Sequence, residues 1–256
     1  MESLDAEARR TALTEVLAAQ GFVAVADASA RLGVSEVTVR ADLTVLAARG
    51  VVRRVHGGAV AAGSVREAPV EATAERDAEL KRAIGGAAAR LVRNGSSVML
   101  DVGSTTHAVA AALVARTDLG DVVVITNGLQ IAQTLEAAIP RFTVIVTGGS
   151  LRPLQHSLVD SIALDTLRGL HADLAILGCT GIADDRVTNV NLPEAAVKRA
   201  MIAASSSRVL VADSSKFGRR DLSAVAPLAA FGTVVTAGPE ADAVTVPFAT
   251  RLVIAA

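Results

Sequence analysis

The chain has 256 residues, 51% of them apolar, and a formal net charge of −1. This length allows one large domain or a small domain followed by a larger one, with enough apolar residues for a sizeable core. The single cysteine excludes an internal disulfide bond, and the lack of tryptophan and tyrosine argues against the aromatic stacking surfaces that bind single-stranded nucleic acids.

The sequence also argues against a membrane protein. No uncharged apolar run approaches the length of a membrane span, and residues 1–5 are acidic and polar, unlike a signal peptide. We therefore expect a cytoplasmic protein that does not enter a membrane.

The first sixty residues carry a helical pattern typical of a helix-turn-helix. Helices are predicted over residues 4–20, 25–32 and 35–49, and a glycine follows each of them. Ser35 is placed to cap the third helix by accepting the amide hydrogen of Thr38. The spacing of Val39 and its apolar neighbours turns that residue towards the core, which leaves the opposite face of the helix outward.

This outward face, and a short basic hairpin after it, are predicted to bind double-stranded DNA. Arg40 has the forked donor group that pairs with guanine in the major groove. Ser35 and Thr38 are expected to bind phosphate beside the helix N-terminus, and the hairpin to grip the backbone or enter the minor groove. An ordinary solvated helical surface remains the alternative. The predicted DNA-binding residues are Ser35, Glu36, Thr38, Arg40, Arg53, Arg54 and His56.

Residues 35–43 (SEVTVRADL), followed by residues 53–59 (RRVHGGA), resemble the signature of the DeoR family of bacterial transcriptional regulators. The resemblance implies a winged helix-turn-helix. Ala41 departs from the family pattern, which usually has a second basic residue at this position. The change removes one expected DNA contact.

Residues 61–74 lack a clear apolar period and contain glycine, serine and proline, so they are predicted to be a connector. A helical pattern resumes at Glu75 and is expected to end at residues 94–95. The predicted organisation is a DNA-binding domain over residues 1–60, a linker over 61–74 and an α/β domain over 75–256.

In the larger domain, short apolar runs alternate with helix-like stretches, which is typical of a mostly parallel, doubly wound sheet covered on both faces. The runs are residues 98–100, 122–125, 142–146, 174–177, 209–212, 234–235 and 252–254. Ligands of such sheets bind beyond the carboxyl ends of the strands. Small and hydroxyl-bearing residues recur there, although ordinary turns also favour these residue types.

Several of these strand-end segments resemble the DeoR C-terminal sensor domain, which is similar to ribose-5-phosphate isomerase. The segments are residues 100–106, 126–127, 148–149, 198–201 and 213–218. The resemblance implies a phosphorylated sugar effector, with phosphate at residues 103–106 and Lys216 assisting. The candidate effector-binding residues are Asp101, Gly103, Ser104, Thr105, Thr106, Thr126, Asn127, Gly148, Gly149, Asp213 and Lys216.

No motif for a dinucleotide or a nucleotide-hydrolysing loop follows a predicted strand, and the histidines lack a metal-binding spacing. We therefore expect no cofactor and no metal. The leading hypothesis is a repressor of a carbohydrate-metabolism operon, with no enzymatic activity, controlled by the sugar phosphate. Because a monomer has only one small DNA-binding domain, we expect tight binding to require a homo-oligomer, either a dimer or a tetramer.

Two other hypotheses remain open at this point. The first is a sugar-phosphate isomerase with an attached DNA-binding head, in which Asp101 and Asp213 would move protons. The second is a DNA-organising protein without a ligand.

Overall fold

The computed structural model describes residues 5–20, 22–55, 57–61, 69–75 and 77–255. The chain divides into two compact units, Met1–Arg76 and Asp77–Ala256. Within the described ranges, no helix is both long enough and apolar enough to cross a membrane.

The first unit is a three-helix domain with a small antiparallel sheet. Its elements are α1 (Ala6–Gln20), β1 (Phe22–Ala24), α2 (Val25–Leu32), α3 (Glu36–Ala48), β2 (Val52–Val55), β3 (Gly58–Ala61) and α4 (Val70–Glu75). The sheet has the order β1-β3-β2, so the β2–β3 hairpin is the wing beside the helices. The predicted winged helix-turn-helix is confirmed.

The core of this unit includes Val39, which the helical spacing turns towards the core. Leu13, Val39, Leu43 and Leu46 are all buried. Gly33 ends α2 with a φ of 66°, a left-handed conformation that glycine adopts without strain.

Asp42 of α3 ties α1 to α3 from within this unit. Its carboxylate is only 3% exposed, and it accepts from Arg9 Nε at 2.9 Å and from Arg10 Nε at 3.0 Å. Both arginines are on α1. Because a buried carboxylate with two guanidinium partners is costly to separate, this contact fixes the orientation of α3 against α1.

The structure differs from the sequence-based helix predictions at two places. The short helix α4 begins within residues 61–74, for which no helix is predicted, and the carbonyl oxygen of Pro69 accepts the amide of Thr73 at 3.1 Å. The next helix ends at Ala89 and not at residues 94–95. There the amides of Leu91 and Val92 bond three residues back, which tightens the last turn and buries Val92 in the core.

The second unit is a parallel sheet covered by helices. Its helices are α5 (Ala78–Ala89), α6 (Ser104–Ala115), α7 (Leu129–Glu136), α8 (Asp160–Arg168) and α9 (Leu192–Ala203). Its strands are β4 (Ser97–Leu100), β5 (Val122–Thr126), β6 (Phe142–Val146), β7 (Ser150–Arg152), β8 (Ser157–Val159), β9 (Ala172–Leu177), β10 (Gly181–Ala183), β11 (Arg186–Asn189), β12 (Ser205–Val211), β13 (Ser223–Pro227), β14 (Thr233–Thr236) and β15 (Arg251–Ile254).

Seven of these strands form one sheet in the order β15-β14-β12-β9-β4-β5-β6, and every neighbouring pair is parallel. Each of the seven predicted apolar runs falls on one of them, and only Ala212, at the end of the run 209–212, lies beyond its strand. Successive residues of β4 point to opposite faces, so Val98 and Leu100 enter one apolar core and Met99 enters the other. The predicted doubly wound parallel sheet is confirmed.

Two smaller pieces of sheet were not expected. The hairpin β7–β8 and the antiparallel sheet β10-β11-β13 lie outside the main sheet. Their strands are mostly three or four residues long, too short to show an alternating apolar pattern.

Candidate DNA-reading face and strand-end cluster

The outward side of α3 presents a short row of exposed residues. Glu36, Val37, Arg40, Ala41 and Thr44 are exposed, and their spacing places them on one side of the helix. We call these five residues the reading face. In a helix-turn-helix, the N-terminal residues of the second helix of the motif meet the base edges.

Ser35 starts α3 as the sequence predicts. Its Oγ accepts the amide of Thr38 at 3.2 Å and lies 2.9 Å from the Thr38 hydroxyl. The cap satisfies one of the free amides at the helix start and holds both hydroxyl groups at the end of α3 where phosphate binding is predicted.

Arg40 has a partner on its own helix. Its guanidinium bonds the Glu36 carboxylate at 2.6 Å, and about half of each side chain is exposed. An exposed pair of this kind is weak and exchanges readily for another partner. The Arg40 guanidinium therefore lies on the reading face and can exchange Glu36 for another acceptor.

The wing is joined to the reading face through Arg54, whose guanidinium donates to the Thr44 hydroxyl at 2.9 Å. Arg53 pairs through its backbone with Val60 in the hairpin. The side chain of Arg53 and the whole of His56 lie outside the described structure, so their predicted DNA contacts stay predictions.

In the second unit, polar residues gather beyond the carboxyl ends of the parallel strands. We call the set of Asp101, Lys198, Asp213, Lys216 and residues 103–106 the strand-end cluster. Asp101 follows β4 and is fully buried. Its Oδ2 accepts from the Gly178 amide at 3.1 Å and from the Lys198 ammonium group. Lys198 comes from α9 and donates also to the Gly178 carbonyl, at 3.1 Å.

The other carboxylate oxygen of Asp101, Oδ1, is buried and has no hydrogen-bond partner among the described residues. Buried polar atoms are nearly always paired, so an unpaired acceptor favours a ligand that donates a hydrogen bond. A hydroxyl group is the simplest such donor.

The charges around Asp101 depend on one another. Burial raises the pKa of the Asp101 carboxyl group, and the Lys198 charge offsets part of that rise. Burial lowers the pKa of Lys198, but the carboxylates of Asp101 and Glu194 outweigh it, so the net shift is upward. Lys198 therefore carries a charge in the interior of the domain.

Glu194 forms a second buried group on α9, one helical turn before Lys198. Its carboxylate accepts from the Ser157 hydroxyl at 2.6 Å and pairs with Arg152. Asn191 caps this helix by accepting the Glu194 amide at 3.1 Å. The hairpin β7–β8 is thereby tied to α9.

The start of α6 has free donor capacity. Gly103 precedes the helix with a φ of 141°, and no side chain of the described residues caps its first turn. The Thr106 hydroxyl bonds the Gly103 carbonyl at 2.9 Å and is buried, whereas Ser104 keeps some exposure. The first amides of an uncapped helix, with the helix dipole behind them, suit an anion.

Asp213 and Lys216 lie in the loop after β12. Asp213 Oδ1 accepts the Ser215 amide at 3.0 Å, and Lys216 Nζ lies 3.6 Å from Asp213 Oδ2. Burial by itself raises the pKa of Asp213, but Lys216, the Ser215 hydroxyl and Lys81 outweigh it and lower the pKa. Asp213 is therefore ionised at neutral pH and orders this loop.

Thr126 and Asn127, two other candidates, are fully buried and bonded to loops. Asn127 accepts the Val102 amide at 3.1 Å and donates to the Leu158 carbonyl at 3.2 Å. The Thr126 hydroxyl accepts the Gly128 amide at 3.0 Å. These contacts favour a role for Asn127 in ordering the loops.

Gly148 and Gly149 follow β6. Gly148 has a φ of 71°, which favours glycine. A Cβ on Gly149 would lie 2.2 Å from the Val159 carbonyl oxygen, so only glycine fits this close approach of two backbone segments. Both positions therefore have a structural requirement of their own.

Four charged residues near these loops were not among the candidates from the sequence: Lys81, Arg152, Glu194 and Lys198. For two of them, the sequence contains a pattern that indicates a polar site. Glu194 and Lys198 are four residues apart and share the buried side of α9 with Val197 and Met201. A pair of opposite charges on the apolar side of a helix is uncommon and points to a polar site.

A cavity of about 350 Å³ lies beside the loop after β12, next to Ser214 and Phe217. It is also lined by Asp184, Asp185 and Glu240. Three carboxylates oppose an anionic ligand, so we do not assign the phosphate to this cavity. In the described part of the chain, no group of three histidine, cysteine or acidic side chains is arranged to hold a metal ion.

Models of known protein families match both units of the chain. A model of the DeoR-like helix-turn-helix domain matches residues 9–65, and a model of the DeoR C-terminal sensor domain matches residues 76–237. The chain belongs to the DeoR family of DNA-binding transcriptional regulators.

Several curated relatives of the chain are named as repressors. It is 32% identical to the glycerol-3-phosphate regulon repressor of Escherichia coli over 232 residues. The aligned region covers 90% of each protein. It is 29% identical to the lactose phosphotransferase system repressor of Streptococcus mutans, over 90% of this chain and 91% of that protein. Ribose 5-phosphate isomerase from Plasmodium falciparum shows a partial structural likeness, with a TM-score of 0.40 and 18% identity over 54% of this chain and 52% of that one.

Proposed function

We propose that this regulator represses an operon of carbohydrate metabolism and that a phosphorylated sugar, or a related polyol phosphate, controls its binding to DNA. The names of the relatives support the type of operon, since they concern glycerol 3-phosphate and a sugar phosphotransferase system. Such a role implies a cytoplasmic protein that binds operator DNA as a homo-oligomer, either a dimer or a tetramer.

The observation that carries the effector proposal is the unpaired Asp101 Oδ1 in the strand-end cluster. A sugar hydroxyl would donate to this oxygen. The uncapped start of α6 and the ammonium group of Lys216 would bind the phosphate. A polyol phosphate supplies both groups in one small molecule.

Control of DNA binding requires that the effector bind unequally to two forms of the protein. One form binds the operator and the other does not, and the difference in effector affinity sets how far the population shifts. The residues that we assign to DNA and to the effector lie in different units, as such a coupling requires.

The test is a thermal-shift screen of the full chain with sugar and polyol phosphates, each beside its unphosphorylated parent. A ligand that binds only the folded protein stabilises it by about 2.7 kcal/mol at a hundred times its Kd. We expect a phosphate-dependent rise in Tm that Lys216→Ala and Thr105→Ala reduce. Arg168→Ala, an exposed cation on α8, is the matched control and should leave the rise unchanged.

The same ligand should then change the affinity of the chain for its operator duplex. Equal shifts with the phosphorylated and unphosphorylated compounds would contradict the phosphate assignment. Turnover of ribose 5-phosphate, lost in Asp101→Asn, would favour an isomerase instead.

A further inference from the structure

The reading face carries an apolar side chain that the DNA-binding assignment leaves unexplained. Val37 is the second residue of α3, and it is 72% exposed. Val51, the other large apolar side chain that is exposed in the described part of this unit, is 37% exposed and lies beyond the end of α3. A valine so exposed at the N-terminal end of this helix has no role in the core.

Val37 has an apolar neighbour on the same face. Ala41 lies four residues later, so the two side chains are adjacent along one side of the helix. Arg40 stands beside them on the same exposed side. The reading face therefore presents one cationic donor and one small apolar surface, made of Val37 and Ala41.

The major groove presents one apolar group to a protein, the C5-methyl group of thymine. Apolar side-chain groups, such as those of alanine and phenylalanine and the methyl group of threonine, contact this methyl group, whereas charged and amide side chains read the hydrogen-bond donors and acceptors of guanine, adenine and cytosine. An apolar surface beside a guanine-reading arginine therefore matches a thymine beside a guanine.

We propose that Val37, together with Ala41, is a specificity-determining residue that packs on the methyl group of a thymine in each operator half-site. The inference rests on the assignment of α3 as the DNA-reading helix. Val37 would add no charge and no phosphate contact. Its contribution would be selectivity for thymine at one position beside the guanine that Arg40 reads.

The experiment begins with the duplex that the full chain selects from a pool of random-sequence duplexes. Each thymine of that duplex is then replaced by deoxyuridine, which removes only the methyl group. At one position of each half-site we expect the affinity of the unaltered protein to fall roughly fourfold, the amount for one buried methyl group. Other thymines should tolerate the replacement.

The variant Val37→Ala is tested on the same series. It should bind the thymine duplex less tightly and should lose most of its sensitivity to the methyl group at that one position. Val51→Ala is the matched control, because it makes the same change at another exposed valine of the same unit, and it should keep the full sensitivity. Since Val37 is exposed, its truncation leaves the core intact, and a thermal melt of each variant checks this.

Two results would overturn the proposal while leaving DNA binding in place. One is a duplex whose thymines all tolerate deoxyuridine. The other is an equal fall in affinity for Val37→Ala and for the unaltered protein when the methyl group is removed at the sensitive position. Another residue would then contact the methyl group. If the protein selects no sequence from the pool, the assignment of α3 as the DNA-reading helix fails together with the proposal.

Discussion

Among single residues, Arg40 and Arg49 allow the contribution of a reading side chain to be separated from that of charge. Both are arginines at α3, their side chains are 51% and 49% exposed, and each pairs with a glutamate of the first unit. They differ in position, because Arg40 is near the N-terminal end of the helix and Arg49 follows its last residue.

We predict that Arg40→Ala weakens binding to the selected operator by about 2 kcal/mol and relaxes the preference for one guanine, because a bidentate contact is lost. Arg49→Ala removes the same charge and should weaken operator and non-specific duplexes alike, by a smaller amount. Fluorescence anisotropy at one fixed salt concentration measures both. Equal losses on both kinds of duplex for the two variants would contradict a base-reading role for Arg40.

The thiol of Cys179 provides a second prediction for a single residue. The residue follows β9 near the strand-end cluster, and burial raises the pKa of its thiol to about 12. A raised pKa means that the folded protein disfavours the thiolate, which is the reactive form. At pH 8 we expect iodoacetamide to modify Cys179 on the order of a thousandfold more slowly in the folded protein than in the chain unfolded by urea.

Mass spectrometry of samples taken over time measures the two rates of modification. Free cysteine in the same urea solution corrects for any effect of urea on the reactivity of iodoacetamide. Raising the pH from 8 to 9 should increase the rate in the folded protein about tenfold, since the thiol stays far below its pKa over this range. Equal rates in the folded and unfolded protein would show that the thiol is not held in its protonated form.

Among the secondary-structure elements, the contact between α5 and α6 depends on one of two neighbouring glycines. A Cβ on Gly85 would lie 2.6 Å from the carbonyl carbon and oxygen of Ala108, both backbone atoms of α6. A Cβ on Gly86 would meet nothing within 4 Å. The same substitution at adjacent positions should therefore have opposite effects.

We predict that Gly85→Ala lowers the free energy of unfolding by about 2 kcal/mol, because α6 must move away from α5. Gly86→Ala should raise it by about 0.5–1 kcal/mol, because alanine is the better helix former and no neighbour obstructs it. Urea unfolding followed by circular dichroism measures both variants. A loss of the same size at Gly86 would mean that helix propensity and not the contact between the helices decides the result.

The elements that the sequence predicted correctly share a physical property. Helices α2 and α3 and the seven strands of the large sheet have strong local signals, either a capping residue and an apolar period or a continuous apolar run. Hairpin β7–β8 and the sheet β10-β11-β13 lack such a signal, because most of their strands are only three or four residues long. The end of α5 was also missed, since its last turn depends on the burial of Val92.

For the molecule as a whole, the low net charge means that affinity for DNA depends on the number of DNA-binding domains in the assembly. With a formal net charge of −1, the chain has little bulk attraction for DNA, so its affinity must come from localised contacts. A single recognition helix in the major groove contacts only a few base pairs. A homo-oligomer that places two such helices on two half-sites gains affinity because the second contact forms within the same complex.

We predict that disrupting one of two half-sites weakens operator binding about a hundredfold or more. Inserting about 10 base pairs between the half-sites should be tolerated better than inserting about 5, because the second half-site then returns to the same side of the duplex. Gel-shift titrations of these duplexes with the full chain measure both effects. Equal affinity for one and two half-sites would show that a single head is sufficient.

The sequence by itself determined the winged helix-turn-helix, the parallel α/β sheet and the family, because these depend on local patterns and on motifs at fixed spacing. It also predicted the ends of the strands at which the candidate effector residues lie. Only the tertiary structure decided which of these side chains keep free bonding capacity. Asn127 and Asp213 bond their own loops, whereas one oxygen of Asp101 has no partner in the described part of the chain. Lys198 joins Asp101 from 97 residues away, and no local pattern encodes a contact between segments so distant, because it arises only when the sheet and α9 pack together.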